Sequence, residues 1–178
     1  MCTYLRNTNI KKSNKDITVY KLMVYHHLSH TLHSPYINAQ YENKQFTSTL
    51  GEIVKEGSEK CIFQGIHAYK NRDEAIQQAH IFKNYKELVH DESYGLLTDN
   101  WLVIFKAKIP HGTRYYDGFS SHGWNKDANK SILTIPSTVS EKIILEKIVY
   151  PEGITMKKIM QMKAEYNKNM EEALKKKN

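Results

Sequence analysis

The stretch from Trp101 to Tyr150 constrains this chain more than any other. It holds two segments, Leu102–Ile109 and Lys142–Tyr150, in which β-branched and apolar residues run over the length of a strand. Between them lies a region rich in Gly, Ser, Asn and Asp, which reads as a loop. The first segment ends on Ile109-Pro110-His111-Gly112-Thr113-Arg114-Tyr115-Tyr116. Proline lacks the N–H that a ladder needs and glycine admits a turn, so this run stops a strand and then presents a guanidinium and two phenols. The rest of the chain is expected to pack around these two strands.

Residues 1–15 are polar and rich in Lys and Asn, and are expected to be loosely ordered. Ile17–Tyr25 carries apolar residues on both faces, the pattern of a central strand. Phe46–Gly51 reads as the end of a strand and Glu56-Gly57-Ser58 as a loop. Cys61–Tyr69 is a further strand, interrupted at Gly65 by a bulge or a close backbone approach. Asn71 is a good N-cap, and Glu74 takes the third helical position of a capping box. Ala75, Ala79, Phe82 and Val89 then repeat at helical spacing.

After Tyr150, Pro151-Glu152-Gly153 breaks the strand and Thr155 can cap a last helix. Met156, Ile159, Met160, Tyr166, Met170, Ala173 and Leu174 would form one stripe on that Lys-rich cylinder. Strands and helices do not alternate regularly, so the expected class is α+β. The expected architecture is a single core domain over 16–150, with a mixed or antiparallel sheet and one capped helix. A C-terminal basic amphipathic helix over 151–178 follows it.

Composition narrows the setting. A chain of 178 residues suits one domain with a real core. No apolar run is long enough to span a bilayer, and the N-terminus does not look like a signal peptide. Cys2 and Cys61 do not make a disulfide framework. These features point to a cytoplasmic protein with no membrane partner. Removal of Met1 would make Cys2 an N-terminal thiol of the kind some hydrolases use, but nothing nearby offers an oxyanion hole. The formal net charge is +7, and residues 154–178 carry seven lysines against three glutamates. Such a tail suits nucleic acid or an acidic partner, and equally serves solubility.

Two constellations could carry chemistry. His26, His27, His30 and His33 cluster in sequence, but they would share a face only on a helix. No carboxylate or cysteine with zinc-like spacing lies nearby, so no metal is expected. The second set is distributed: Lys21, then His67 and Tyr69, then Arg114, Tyr115 and Tyr116. If their strands are neighbours, one cleft would present imidazole, guanidinium and phenol groups, which suits a nucleotide or an ADP-ribose-like ligand. The same residues would serve equally as half-buried sheet positions with satisfied hydrogen bonds.

Two resemblances add to this. Tyr20-Lys21, Ser34-Pro35-Tyr36, Gly65–Asn71, Ile109–Tyr116 and Ser140–Leu145, with the Met-Cys start, resemble small uncharacterised proteins of bacteria and their phages. That resemblance covers about residues 1–150 and implies a cytoplasmic setting, the host's for a phage protein, with no mechanism attached. Tyr20-Lys21, Thr47-Ser48-Thr49, Ile109–Thr113 and Ser140–Leu145 also resemble, in order, the motifs of the ADP-ribosyltransferase fold. This implies an NAD-dependent transferase with Glu141 as the catalytic carboxylate and Lys21, Ser48 and His67 beside it. Lys21 stands where the family has arginine, and one acid stands where it has two.

The leading expectation is an accessory binding protein without a cofactor. Its Tyr/Arg/His cleft would take an anionic nucleotide-like ligand or a protein partner. A scaffold acting on nucleic acid through the Lys-rich C-terminal helix comes second, and the NAD-dependent transferase third.

Overall fold

A computed structural model describes residues 3–26, 31–34, 40–41, 44–56, 59–88, 100–122 and 133–175. Its strands are β1 (Thr3–Leu5), β2 (Lys11–Lys12), β3 (Ile17–His26), β4 (Thr31–His33), β5 (Gln40–Tyr41), β6 (Gln45–Thr47) and β7 (Val54–Glu56). They continue with β8 (Glu59–Ile62), β9 (Ile66–Tyr69), β10 (Asn100–Ile109), β11 (Arg114–His122), β12 (Leu133–Ser140) and β13 (Lys142–Tyr150). The helices are α1 (Arg72–Leu88) and α2 (Met156–Lys175).

The α+β expectation is corrected by this inventory. Thirteen strands against two helices make the described chain a mainly antiparallel β protein. The reason lies in what the sheet buries. Thr3, Ser120, Ser137, Thr138 and Ser140 are all fully buried strand residues, so small hydroxyl side chains occupy sheet positions where apolar alternation would have announced a strand. The region read as a loop between the two long strands contains β11 and β12, a full antiparallel pair running from Tyr115↔Ser140 to His122↔Leu133. Within residues 1–15, β1 inserts between β11 and β8, and β2 pairs with β11.

The chain divides into two compact units. The first comprises residues 1–21, 43–75 and 106–146. Strands lying wholly within it follow the order β9-β12-β11-β1-β8-β7. Pro110 to Thr113 close the turn between β10 and β11, with Thr113 N–H donating to the Pro110 carbonyl at 3.2 Å. Asp16 holds this turn from outside, accepting from the His111 N–H at 2.9 Å and from Lys108 Nζ at 2.7 Å. One sheet face packs Leu5, Ile62 and Val139 against Leu50, Ile53 and Tyr116. Gly65, at φ 137°, divides the expected Cys61–Tyr69 strand into β8 and β9.

The second unit comprises residues 22–42, 76–105 and 147–178. Here β4 pairs with β3 in the register Val24↔His33 and with β5 in the register Leu32↔Tyr41. Leu22, Met23, Val24, Tyr25, Leu32, Val103, Ile104 and Phe105 are among its buried apolar residues. Tyr150 and His80 meet edge to face, with the phenol oxygen 3.3 Å from Nε2. The start of α1, in the first unit, follows from sequence: Asn71 Oδ1 accepts the Asp73 N–H at 2.8 Å and Ala75 is buried, as is Ala79 in the second unit. Thr155 Oγ1 accepts the Lys158 N–H at 3.2 Å and caps α2. No helix among the described residues is long and apolar enough to cross a membrane.

Candidate functional site

Strand alternation sorts the candidate residues before any chemistry is considered. Tyr116 pairs with Val139, and Val139 pairs with His67 across β12, so these three share a face. Arg114, two residues before Tyr116, lies on that same face. Tyr115 and Asp117 lie on the opposite one, so the two tyrosines point apart.

On the first face the sheet holds an exposed corner and the buried His67, whose main chain Lys21 meets from the opposite face. At the corner, Arg114 Nη2 pairs with Glu141 Oε1, while the Glu141 N–H donates to the Arg114 carbonyl at 3.1 Å. The Arg114 side chain is 60% exposed and that of Glu141 24%, so the guanidinium is the outer member of the pair. The hydrogen bond from Arg114 holds the Glu141 carboxyl below its ordinary range, and the same bond raises Arg114. Ser48 follows β6, and its N–H donates to the Glu141 carbonyl at 2.8 Å. Its hydroxyl donates to the Thr49 carbonyl at 3.2 Å. Thus Ser48, Glu141 and Arg114 are brought together.

The buried pair is Lys21 and His67. Lys21 Nζ donates to the His67 carbonyl at 2.9 Å. His67 Nε2 lies 2.8 Å from the Phe63 carbonyl, which can only accept, so Nε2 carries the proton. Nδ1 then accepts from the Thr3 hydroxyl at 2.7 Å. Burial lowers the imidazole from its ordinary 6.5 to about 4, with the Lys21 charge adding to the effect against the Phe63 hydrogen bond. Burial likewise lowers Lys21 to about 8. Tyr69 is buried on β9. These three are interior residues and do not open onto the Arg114 corner as one lined cleft.

The His67 shift predicts a pH dependence. Between pH 6.5 and about 4 the unfolded chain binds a proton that the folded chain refuses. The stability is therefore complete above 6.5 and is lost as the pH falls toward 4, by roughly 3 kcal/mol in all. His67→Gln keeps a donor for Phe63 and an acceptor for Thr3 without titrating. Urea midpoints from pH 7 to 4 should fall less steeply in this variant; equal slopes would contradict the assignment.

On the opposite face Tyr115 stands beside Lys11, its cross-strand partner. Asp117 accepts from Lys11 Nζ at 2.6 Å and also pairs with Lys70 Nζ. Burial opposes ionisation of Asp117, but the two lysine hydrogen bonds outweigh it and hold the carboxyl below its ordinary value. Sequence reading missed this triad, because it depends on the β2–β11 pairing and no local motif carries it. Among the histidines of the run, His27 and His30 lie outside the described residues, as do Cys2, Pro35 and Tyr36; His33 sits in β4. Among the described residues no three or more His, Cys, Asp or Glu groups gather as metal ligands do.

Comparison with known proteins finds no matching family model, no matching curated protein and no matching solved structure.

Proposed function

We propose that this chain is a small accessory binding protein whose Arg114 corner takes an anionic group. That group would be carried by a nucleotide-like ligand or by an acidic protein partner. The observation that supports this reading most is the state of the ionisable groups. Lys21 and His67 are buried and hydrogen-bonded to their neighbours, and the Glu141 carboxylate is tied to Arg114. Acid–base or nucleophilic chemistry needs a group that can change its protonation state within reach of a substrate. An exposed guanidinium fork needs only a phosphate or carboxylate that can compete with Glu141.

A thermal-shift titration with ADP-ribose, mononucleotides and an acidic peptide tests the reading. A ligand at one hundred times its dissociation constant stabilises the fold by about 2.7 kcal/mol. The expected result is a shift with at least one of these anions that Arg114→Ala removes. No shift with any of them, or a shift that survives Arg114→Ala, contradicts the proposal.

A second reading rests on one observation. Thr47 pairs with Lys142 and the Ser48 N–H bonds to Glu141, so the Thr47-Ser48-Thr49 and Ser140–Leu145 segments lie side by side. This is the neighbourhood that an ADP-ribosyltransferase-like site would need, with Glu141 stabilising positive charge on the ribose. Under that reading Glu141→Gln abolishes nicotinamide release from NAD and leaves the melting temperature nearly unchanged. Wild-type protein that is inert towards NAD ends it.

A further inference from the structure

We propose that the first unit buries a site for a small monovalent anion of the halide type, held between the Lys21 ammonium and the Thr138 hydroxyl. Both residues lie on the face opposite the Arg114 corner. Thr138 pairs with Ala68 across β12 and β9, and the antiparallel register Tyr20↔Tyr69 sets Lys21 against the other side of Ala68. Residues directly opposite in antiparallel strands share a face, so Lys21, Ala68 and Thr138 form one row over three strands. Lys21 Nζ donates to the His67 carbonyl at 2.9 Å, which brings the ammonium over β9 and next to Ala68. From there Thr138 is one strand spacing away, about 5 Å. Ala68 contributes only a methyl group between them. The row is buried throughout: Lys21 is 5% exposed, Ala68 1% and Thr138 0%.

Two buried groups in this row are incomplete. An ammonium has three donors, and among the described residues Lys21 uses one, on the His67 carbonyl, with no carboxylate paired to it. Thr138 Oγ1 is buried without any partner. Burial lowers Lys21 only to about 8, so the cation is present at neutral pH. A water molecule would complete the hydrogen bonds and leave the charge; an anion accepts from both groups and neutralises the charge as well. Charge in the same row agrees. Asp117, opposite Thr138 on β11, is taken by Lys11 and Lys70, so that group adds one net positive charge and no free carboxylate. Glu59 on β8 is exposed and three strands beyond Thr138, about 14 Å away and past the Debye length of about 8 Å. Burial also sets the size of the occupant. Val19 and Ile66, two residues from Lys21 and Ala68 on the same face, are buried apolar neighbours. Such surroundings suit an ion that gives up its hydration shell easily, and exclude a nucleotide or a peptide.

The test is a titration of the full chain with sodium bromide, read as melting temperature, with ionic strength held constant by sodium gluconate, whose anion is too large to enter. The expected result is a rise that saturates with bromide. Thr138→Val keeps the shape of the side chain but removes the hydroxyl, and should weaken bromide binding roughly 10- to 100-fold. Lys21→Met removes the cation and should abolish the response; if that variant does not fold, Thr138→Val decides. Anomalous diffraction from crystals grown in bromide should place an ion within hydrogen-bond reach of Lys21 Nζ and Thr138 Oγ1. No rise beyond the gluconate control overturns the proposal and leaves a water at most. A rise undiminished in Thr138→Val, or bromide found elsewhere as an adventitious ion only, overturns it too. Arg114→Ala should leave the bromide response unchanged, so this site and the Arg114 corner fail separately.

Discussion

Gly118→Ala is expected to unseat β1 and to cost about 3 kcal/mol. Gly118 sits opposite Leu5 in the β1–β11 pair. A Cβ there would fall well inside contact distance of the Tyr4 carbonyl oxygen and the Thr3 Cγ2 methyl. The obstacle is mostly backbone, which cannot rotate aside, so β1 must move away from β11. Its movement would also take the Thr3 hydroxyl from His67 Nδ1, leaving a buried ring nitrogen without its donor. A lower urea midpoint at unchanged m-value measures the loss, and faster amide exchange in Thr3–Leu5 locates it. Gly112→Ala is the control. Gly112 has φ 81° but nothing within 4 Å of an added Cβ, so it carries only the left-handed strain of about 1 kcal/mol. Equal losses in the two variants would contradict the close-approach explanation.

Glu141→Gln and Arg114→Ala are expected to move anion binding in opposite directions. Glu141 is the intramolecular competitor for the Arg114 fork. Its replacement by a neutral amide leaves the guanidinium free of that competitor, and ADP-ribose affinity should rise several-fold. Arg114→Ala removes the charge-assisted donors themselves and should weaken binding by roughly 10- to 100-fold. Both residues are surface positions, so melting temperatures should differ little from wild type. The Glu141 result also separates the two functional readings, since a transferase would lose its reaction where the binding protein gains affinity. Calorimetric titration of both variants gives the answer directly.

The parts of the fold that sequence revealed are those whose local chemistry is unambiguous. Lys142–Tyr150 forms β13 over those residues, and Leu102–Ile109 lies within β10, because both runs are apolar enough to be nothing else. Asn71 marks the start of α1 through a hydrogen bond that its own side chain makes. The β11–β12 hairpin stayed hidden because Gly118 and Pro136 sit inside its strands and its buried side chains are serines and threonines. Gly118 is there because β1 approaches too closely for a side chain, a demand set by a segment more than one hundred residues earlier.

The same limit applies to the site. Arg114 and Glu141 were each selected as candidates from local motifs, but their pairing across 27 positions is a product of the hairpin. The expected cleft dissolved for a related reason. His67, Lys21 and Tyr69 read as pocket residues because their side chains are polar, whereas pairing through Val139 and Tyr20 places them in the interior. Lys11, Lys70 and Asp117 belong to three strands or strand ends distant in sequence, and only the register joins them.

The most direct measurement is a titration of wild-type protein with NAD, following melting temperature and free nicotinamide in the same samples. Recognition without chemistry at the Arg114 corner predicts a rise in melting temperature that saturates with NAD while nicotinamide stays at the level of a protein-free control. Nicotinamide released in proportion to protein and time, or a melting temperature that moves with neither NAD nor an acidic peptide, would contradict it.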